Sequence, residues 1–265
     1  MAVPTDFAGL RAWYKADAIT GLLDGDPVAS WTDSSGNGFT LSNATTAQRP
    51  VYKANMLNGL PIVRFDAVDD GLFTNTALFT ASGVPWTVFA VYENNLHTAS
   101  GRRVANGSTS QAAGNWLVGP HGGLHRVYAG AFTPGQAVTD GKWVRQTGKS
   151  DGATVTNYVD GTSMGSVAAT GSPPGGFTIG YSANSWMEPA DCDVAEVIVY
   201  NTQLTAADQT SIEDYLYTRW LKPPFAGVTS YTTTITDDEL IAAAAIEGNN
   251  LLKVFVKDAA GNWST

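Results

Sequence analysis

Asp191–Trp220, DCDVAEVIVYNTQLTAADQTSIEDYLYTRW, carries the strongest fold signal in this chain of 265 residues. Val194, Ala195, Val197, Ile198, Val199 and Tyr200 form a nearly unbroken run of β-branched, small and aromatic residues, the pattern of a strand buried on both faces. A helix should follow. Thr205 is its N-cap with Asp208 three residues on, and Ile212, Tyr215, Leu216 and Trp220 fall on one apolar stripe. Pro223 and Pro224 stop it.

The same stretch opens with Asp191, Asp193 and Glu196 in the pattern D-x-D-x-x-E. On a regular strand Asp191 and Asp193 share a face and Glu196 points the other way, so a site built from all three requires a bulge. The spacing resembles the E-x-D-x-x-E of some β-sandwich glycoside hydrolases. Here the first acid is one methylene shorter than a Glu, which matters for a retaining pair held about 5–5.5 Å apart. The competing reading is structural, with solvated acids at a strand edge and one Glu paired by a neighbouring loop.

Composition narrows the function classes. With 24 acidic against 15 basic residues and a formal net charge of -9, the surface should repel nucleic acid and anionic membranes, so neither is an expected partner. Charged residues make up only 15% of the chain while Gly (28) is abundant, which suits many short strands joined by tight turns. The single cysteine, Cys192, excludes an internal disulfide and reads as an inert core thiol. The N-terminal MAVPTDFAGLRAWYKAD has no basic segment followed by an apolar one, and no apolar run approaches a membrane span. Export by a visible signal is therefore not expected.

Along the chain, Leu10–Asp17 (LRAWYKAD) reads as a strand anchored by Trp13, and Leu22–Phe39 carries DGD and SGNG turns around Val28–Trp31. Asn58–Leu72 (NGLPIVRFDAVDDGL) is a turn, a strand centred on Ile62, Val63 and Phe65, and an acidic turn. These three motifs and the closing AEVIVYNTQLTAADQTSIEDYLYTRW, in that order over about residues 8 to 221, resemble the concanavalin A-like, laminin-G-like jelly-roll domains of secreted bacterial proteins and phage particle proteins. The resemblance implies an all-β, two-sheet jelly-roll sandwich with one short C-terminal helix. It also marks Ala195–Ile198 as a generic feature of the domain type, including members without activity, which weakens a catalytic role for Glu196. The fold itself hosts lectins, hydrolases and structural domains alike.

The middle of the chain agrees with a sandwich. Trp86–Tyr92, Asn115–Val118, His125–Ala129, Lys142–Thr147, Ala153–Val159 and Phe177–Tyr181 read as strands, and Asp160-Gly161 marks a hairpin of a kind that recurs in this family. Past Pro224 the character changes: Val228–Thr236 reads as a strand, Asp238–Ile246 as a short helix and Leu251–Asp258 as an alternating strand. Its ending resembles the last strand of immunoglobulin-like modules, yet falls far short of the roughly seven strands such a sandwich needs. The expected division is a jelly-roll domain over 1–222 and a small docking segment over 223–265.

Site candidates follow from residue chemistry. Aromatic rings beside polar turns suit sugars, because a ring face stacks on the apolar side of a sugar while Asn and Asp hold its hydroxyls. Trp116, Tyr128 and Trp186 fit that pattern, whereas Trp13, Trp31, Trp86, Trp143 and Trp220 read as core. His121 and His125 have helical metal-pair spacing, but Gly122 and Gly123 argue against a helix, and in an extended segment the rings would lie about 13 Å apart. No metal site is assigned to them, and His97 has no acid or nucleophile beside it. Asp24-Gly25-Asp26 and Asp69-Asp70 offer oxygens of the kind calcium takes, and related laminin-G-like domains often bind calcium at a loop edge. No cofactor is otherwise expected.

The functional expectation is a non-catalytic surface module, on a phage virion in capsid decoration or tail, that adheres to glycans of a host or environmental surface. Residues 223–265 would contact other virion proteins, and homo-oligomerisation is compatible with this arrangement. The alternatives are a glycoside hydrolase using Asp191, Asp193 and Glu196, and an extracellular adhesion fragment of a secreted bacterial protein.

Overall fold

The computed structural model describes residues 2–79, 81, 83–95, 102–107, 115–168, 175–181, 188–222, 246–247 and 250–251. The chain divides into two units, Met1–Lys222 and Pro223–Thr265. The first contains, in chain order, β1 (Leu10–Lys15), β2 (Ser30–Trp31), β3 (Leu41–Ser42), β4 (Val51–Leu57), β5 (Leu60–Asp66), β6 (Gly71–Phe79), β7 (Trp86–Asn94) and β8 (Ala105–Gly107). β9 (Leu117–His121), β10 (Leu124–Tyr128), β11 (Gln136–Ala137), β12 (Trp143–Ser150), β13 (Thr154–Val159), β14 (Thr162–Ala168), β15 (Gly175–Gly180) and β16 (Asp191–Tyr200) follow. The helix α1 (Ala206–Leu216) comes last.

These strands form two eight-stranded antiparallel sheets. The first runs β14-β13-β12-β7-β16-β5-β4 with β1 also on β16, and the second runs β11-β10-β9-β8-β15-β6-β3-β2. Between them lies a core rich in aromatic rings. Tyr14 stacks on Phe177 with centroids 5.7 Å apart, and Trp116 packs on both Trp86 and Phe177. This is the two-sheet sandwich with one C-terminal helix that the sequence predicts.

β16 is the spine of the first sheet. One side pairs with β7, and the other is shared by β1 along Glu196–Tyr200 and β5 along Asp191–Val194. From Cys192 to Tyr200 every residue is buried, because the second sheet covers one face and α1, with Arg64 over Asp193, covers the other. That double cover explains the unbroken apolar run. Thr205 caps α1 by accepting the Asp208 amide, and Ile212, Tyr215, Leu216 and Trp220 are buried as the stripe requires. Instead of stopping, the helix passes into a π-helical turn over Tyr217–Leu221. Pro223 and Pro224 lie outside the described residues.

The pairing register shifts between Val194 and Glu196, so Ala195 is an extra residue in β16. Asp193 then lies opposite Glu93 and Glu196 opposite Val91, which places both acids on the outer face, Asp193 beside Arg64 of β5 and Glu196 beside Tyr215 of α1. There Glu196 is 0% exposed. Its Oε1 accepts the Trp13 indole N–H at 2.5 Å, and its Oε2 accepts that of Trp220 at 2.5 Å and the Tyr215 hydroxyl at 3.4 Å. Arg219 Nε stands 3.6 Å from Oε2. One carboxyl group thus joins β1, β16, α1 and the π turn.

Turn chemistry explains the rest. The buried Asp33 carboxylate accepts the amides of Trp13, Ser35 and Phe39, which folds the SWTDSSGNGF turn against β1. Asp160 and Gly161 take φ of 51° and 80°, the left-handed pair that a two-residue β13–β14 hairpin needs. The long strands β4 and β6 were not legible in the sequence, since their exposed stretches are polar and carry no clean alternation.

In the second unit, Ile246–Glu247 (β17) pairs antiparallel with Asn250–Leu251 (β18). This corrects the expected helix end at Ile246. Gly248 and Asn249 separate the paired segments in sequence, the signal of a two-residue hairpin that the preceding alanines obscured. The predicted strands Val228–Thr236 and Leu251–Asp258 lie, apart from Leu251, outside the described residues.

Removing the carboxyl of Glu196 should be costly. Glu196→Leu leaves two buried indole N–H groups without an acceptor and is expected to lower stability by about 3–5 kcal/mol in chemical denaturation. A loss under about 1 kcal/mol would show that the carboxyl is not what holds the helix. Burial pushes the Glu196 carboxyl up from 4.5 to about 7, against the opposing pull of Trp220, Trp13, Arg219 and Tyr215. The folded state therefore binds this proton more tightly than the unfolded chain, so its contribution is complete below pH 4.5 and is lost as pH rises through 7. Glu196→Gln should flatten that decline in melting temperature, measured against wild type from pH 4 to 8.

Candidate functional site

The bulge at Ala195 supplies the shared face that a three-acid site needs, but the surroundings of the acids are structural. Asp193 is 2% exposed, and its oxygens accept Arg64 Nε and Nη2, each at 2.7 Å, with Asn95 Nδ2 at 3.2 Å. Glu196 is sealed by Trp13, Trp220 and Tyr215. Asp191, at the start of β16, is half-buried, and burial raises its carboxyl above the ordinary range. A retaining mechanism needs two carboxyls that meet the sugar, and neither Asp193 nor Glu196 is open to one.

The aromatic candidates separate in space. Trp116 was expected beside a loop with a free ring face; it is 2% exposed and wedged between Trp86 and Phe177 in the core. The correction follows from the strand pattern: Trp116 and Val118 share the face that looks toward the first sheet, whatever the polarity of the neighbouring Asn115. Trp186 and His97 lie outside the described residues. Trp143, expected in the core, is only partly buried, because odd-numbered residues of β12 face outward. Tyr128 alone among the sugar-binding candidates is placed at a cleft.

That cleft opens on the outer face of the second sheet and has a volume of about 190 Å³. Its lining is Arg103, Asn115, His121, Tyr128, Phe132 and Glu188. β9 and β10 set the aromatic wall through their register, with Leu124 opposite His121 and Tyr128 opposite Leu117. Gly122 and Gly123, with φ of 56° and 77°, make the turn between them. His121 and His125 therefore occupy facing strands and opposite faces. His125 points inward to the Tyr92 hydroxyl at 2.6 Å, while His121 stacks on Phe132 with centroids 4.1 Å apart. Phe132 also meets Tyr128 at 4.7 Å, so one ring joins the other two.

Opposite the rings stands a polar group. Arg103 is 4% exposed, and its Nε donates to Glu188 Oε2 at 2.6 Å while Nη1 donates to Asn115 Oδ1 at 2.8 Å. Glu188 Oε1 lies 3.4 Å from His121 Nε2. These contacts span 85 residues between Arg103 and Glu188, which is why no local sequence signal pointed to them. Fixed polar groups facing a stacked aromatic wall can hold the hydroxyls and the apolar face of a small ring. Clefts for drug-sized ligands start at about 300 Å³, so this one suits a single small ring.

The acidic turns differ from each other. Asp24 is taken by Lys53 Nζ at 2.7 Å and the Ala54 amide, and Asp26 accepts the Leu23 amide, which makes both structural. Asp69 and Asp70 instead gather with Asp66, one oxygen of each lying within 4.8 Å of the others. These hard oxygen donors fit a calcium ion, with further oxygens needed to complete six to eight ligands. Burial first, and then the Asp66 charge, pushes the Asp70 carboxyl up from 3.8 to about 7. Its folded-state stability contribution is thus lost as pH rises toward and through 7. Asp70→Asn keeps an oxygen for the Asp66 amide and should raise the melting temperature at pH 8 in calcium-free buffer, with little effect at pH 4. A lower melting temperature at pH 8 would contradict this balance.

No curated protein sequence matches this chain. Among solved structures, domain 4 of an extracellular arabinanase from Geobacillus stearothermophilus, in complex with arabinotriose, is similar with a TM-score of 0.56 and 16% identity, over 77% of this chain and 98% of that one. The binding domain of Paraclostridial Mosquitocidal Protein 1 gives 0.55 and 12%, over 79% and 52%. Trypanosoma rangeli sialidase, in complex with 2,3-difluorosialic acid, gives 0.53 and 13%, over 81% of this chain and 34% of that one. This chain thus spans about a third of the sialidase, and at these identities the likeness is one of fold. Residues 66–208 match the laminin-G-type model of the concanavalin A-like lectin/glucanase superfamily. That segment covers more than half of the chain and runs from the end of β5 into α1, so this protein belongs to the concanavalin A-like lectin/glucanase superfamily.

Proposed function

We propose that this chain is a non-catalytic glycan-binding module of a surface, with the phage virion as its location and residues 223–265 as its attachment to other particle proteins. The observation that carries the binding reading is the cleft at Tyr128, where a stacked aromatic wall faces the fixed group Arg103, Asn115 and Glu188. Further support comes from the sealed state of Glu196 and the Arg64 pairing of Asp193, which leave the glycoside hydrolase reading without an accessible acid pair. Structures of similar fold include a domain solved with arabinotriose and a toxin binding domain. The virion location rests on the motif resemblance to phage particle proteins, and an extracellular adhesion fragment would use the same cleft.

A glycan panel that includes arabinotriose, followed by calorimetry on the hits, tests the site. Tyr128→Ala should weaken binding by about 1–3 kcal/mol with a small change in melting temperature, while Asp191→Asn leaves binding unchanged. Hydrolysis of any panel member that disappears in Glu196→Gln but survives in Tyr128→Ala would overturn the non-catalytic reading. For the attachment, a chain ending at Lys222 should keep its glycan affinity and no longer copurify with particles. Retained copurification would place the contact within the first unit.

A further inference from the structure

A second concavity, of about 330 Å³, lies on the outer face of the first sheet. It is lined by Leu57, Asn58, Trp143, Arg145, Asp160, Tyr217 and Leu221, drawn from β4, the β4–β5 turn, β12, the β13–β14 turn and the π turn after α1. The outward side of β12 is fixed by register: Trp143 lies opposite Glu93 and Arg145 opposite Val91, while Val144 is buried in the core. The Tyr128 cleft opens on the opposite side of the sandwich.

Each polar group here is held in place. Asn58 sits at φ 50° and donates through Nδ2 to the carbonyls of Trp220 and Lys222, at 2.6 and 3.0 Å. Among the described residues nothing donates to its Oδ1. Asp160 Oδ1 accepts the Arg145 amide at 3.0 Å, while Oδ2 stands 3.7 Å from Lys142 Nζ, beyond hydrogen-bond reach. Arg145 donates through Nη1 to the Glu213 carbonyl, its guanidinium carbon lies 5.3 Å from the Tyr217 ring centre, and its buried Nε has no partner among the described residues. Tyr217 is 41% exposed, so its ring is available at the mouth of the concavity.

We propose that this concavity is a second ligand site that takes a hexopyranose unit. The two aromatic residues, Trp143 and Tyr217, supply stacking surface, and Leu57 and Leu221 exclude water around it. Asp160 Oδ2 and Asn58 Oδ1 are acceptors, so the occupant must present hydroxyl donors. A volume of about 330 Å³ falls in the range of ordinary small-molecule sites. Only the ligand class draws on the glycan-binding reading above; the site rests on its own geometry.

The test is titration of the full chain with a set of neutral methyl hexopyranosides, followed through the indole N–H signals of its eight Trp by NMR. Trp143→Phe identifies the Trp143 signal. At least one probe is expected to shift that signal saturably, and Tyr217→Ala should weaken this binding about tenfold or more without altering affinity at the Tyr128 cleft. Because Tyr217 is exposed, its replacement spares the core, and Asp160→Asn provides an independent variant. Probes that saturate the Tyr128 cleft and leave the Trp143 signal unmoved would overturn this site alone. A Trp143 shift that survives Tyr128→Ala, with no binding at the Tyr128 cleft, would uphold it and overturn the first cleft. Absence of both responses would overturn both.

Discussion

The first unit depends on one buried carboxyl group. Glu196 reaches the outer face of the first sheet because Ala195 is inserted in β16, and there it receives the indoles of Trp13 and Trp220. A buried carboxyl is expensive to desolvate, which is why its proton affinity rises, and two indole donors offset part of that cost. What the arrangement contributes is specificity of position. The apolar stripe of α1 could slide along a flat sheet, whereas two directional hydrogen bonds to one group hold the helix and the π turn to one register. The π turn itself is what brings Trp220 round to the same carboxyl as Tyr215.

That constraint reaches the outer concave surface of the first sheet. With Trp220 fixed, its carbonyl accepts Asn58 Nδ2, which ties the β4–β5 turn to the end of the helix and shapes one wall of the outer groove. With α1 fixed, Glu213 accepts Thr147 Oγ1 and its carbonyl accepts Arg145, which orders the outward row of β12. The second sheet is organised differently. Its cleft depends on a hairpin turned by two glycines and on the Arg103–Glu188 pair, whose buried cation is matched by a carboxylate and two further oxygens.

The superfamily contains both binding domains and glycanases, and the difference lies in the site and not in the sheets. In this chain the acids that match a glycanase spacing are consumed by structure: Asp193 by the Arg64 fork and Glu196 by indoles. Side chains that can meet a sugar lie instead on the outer faces of both sheets. The sealed acids and the open aromatic surfaces are the observations on which the proposed recognition reading rests.

The sequence by itself determined the buried closing strand, the cap at Thr205, the apolar stripe of α1 and the Asp160-Gly161 hairpin, each a matter of local periodicity or turn chemistry that few neighbouring residues suffice to specify. The two-sheet sandwich came from the resemblance of four ordered motifs to a known domain type. The sequence also singled out Tyr128, which lines the cleft on the second sheet. Only the tertiary structure decided the rest. Whether Trp116 or Trp143 faces solvent depends on strand parity, and a shift of one residue reverses the answer, so polar neighbours were a poor guide. Whether Asp191, Asp193 and Glu196 could act together depended on a bulge, which the letters do not show, and then on partners at Trp13, Arg64 and Trp220 that are distant in the chain. Both concave sites join residues from several strands and turns, and burial and pairing across such separations are properties of the folded chain alone.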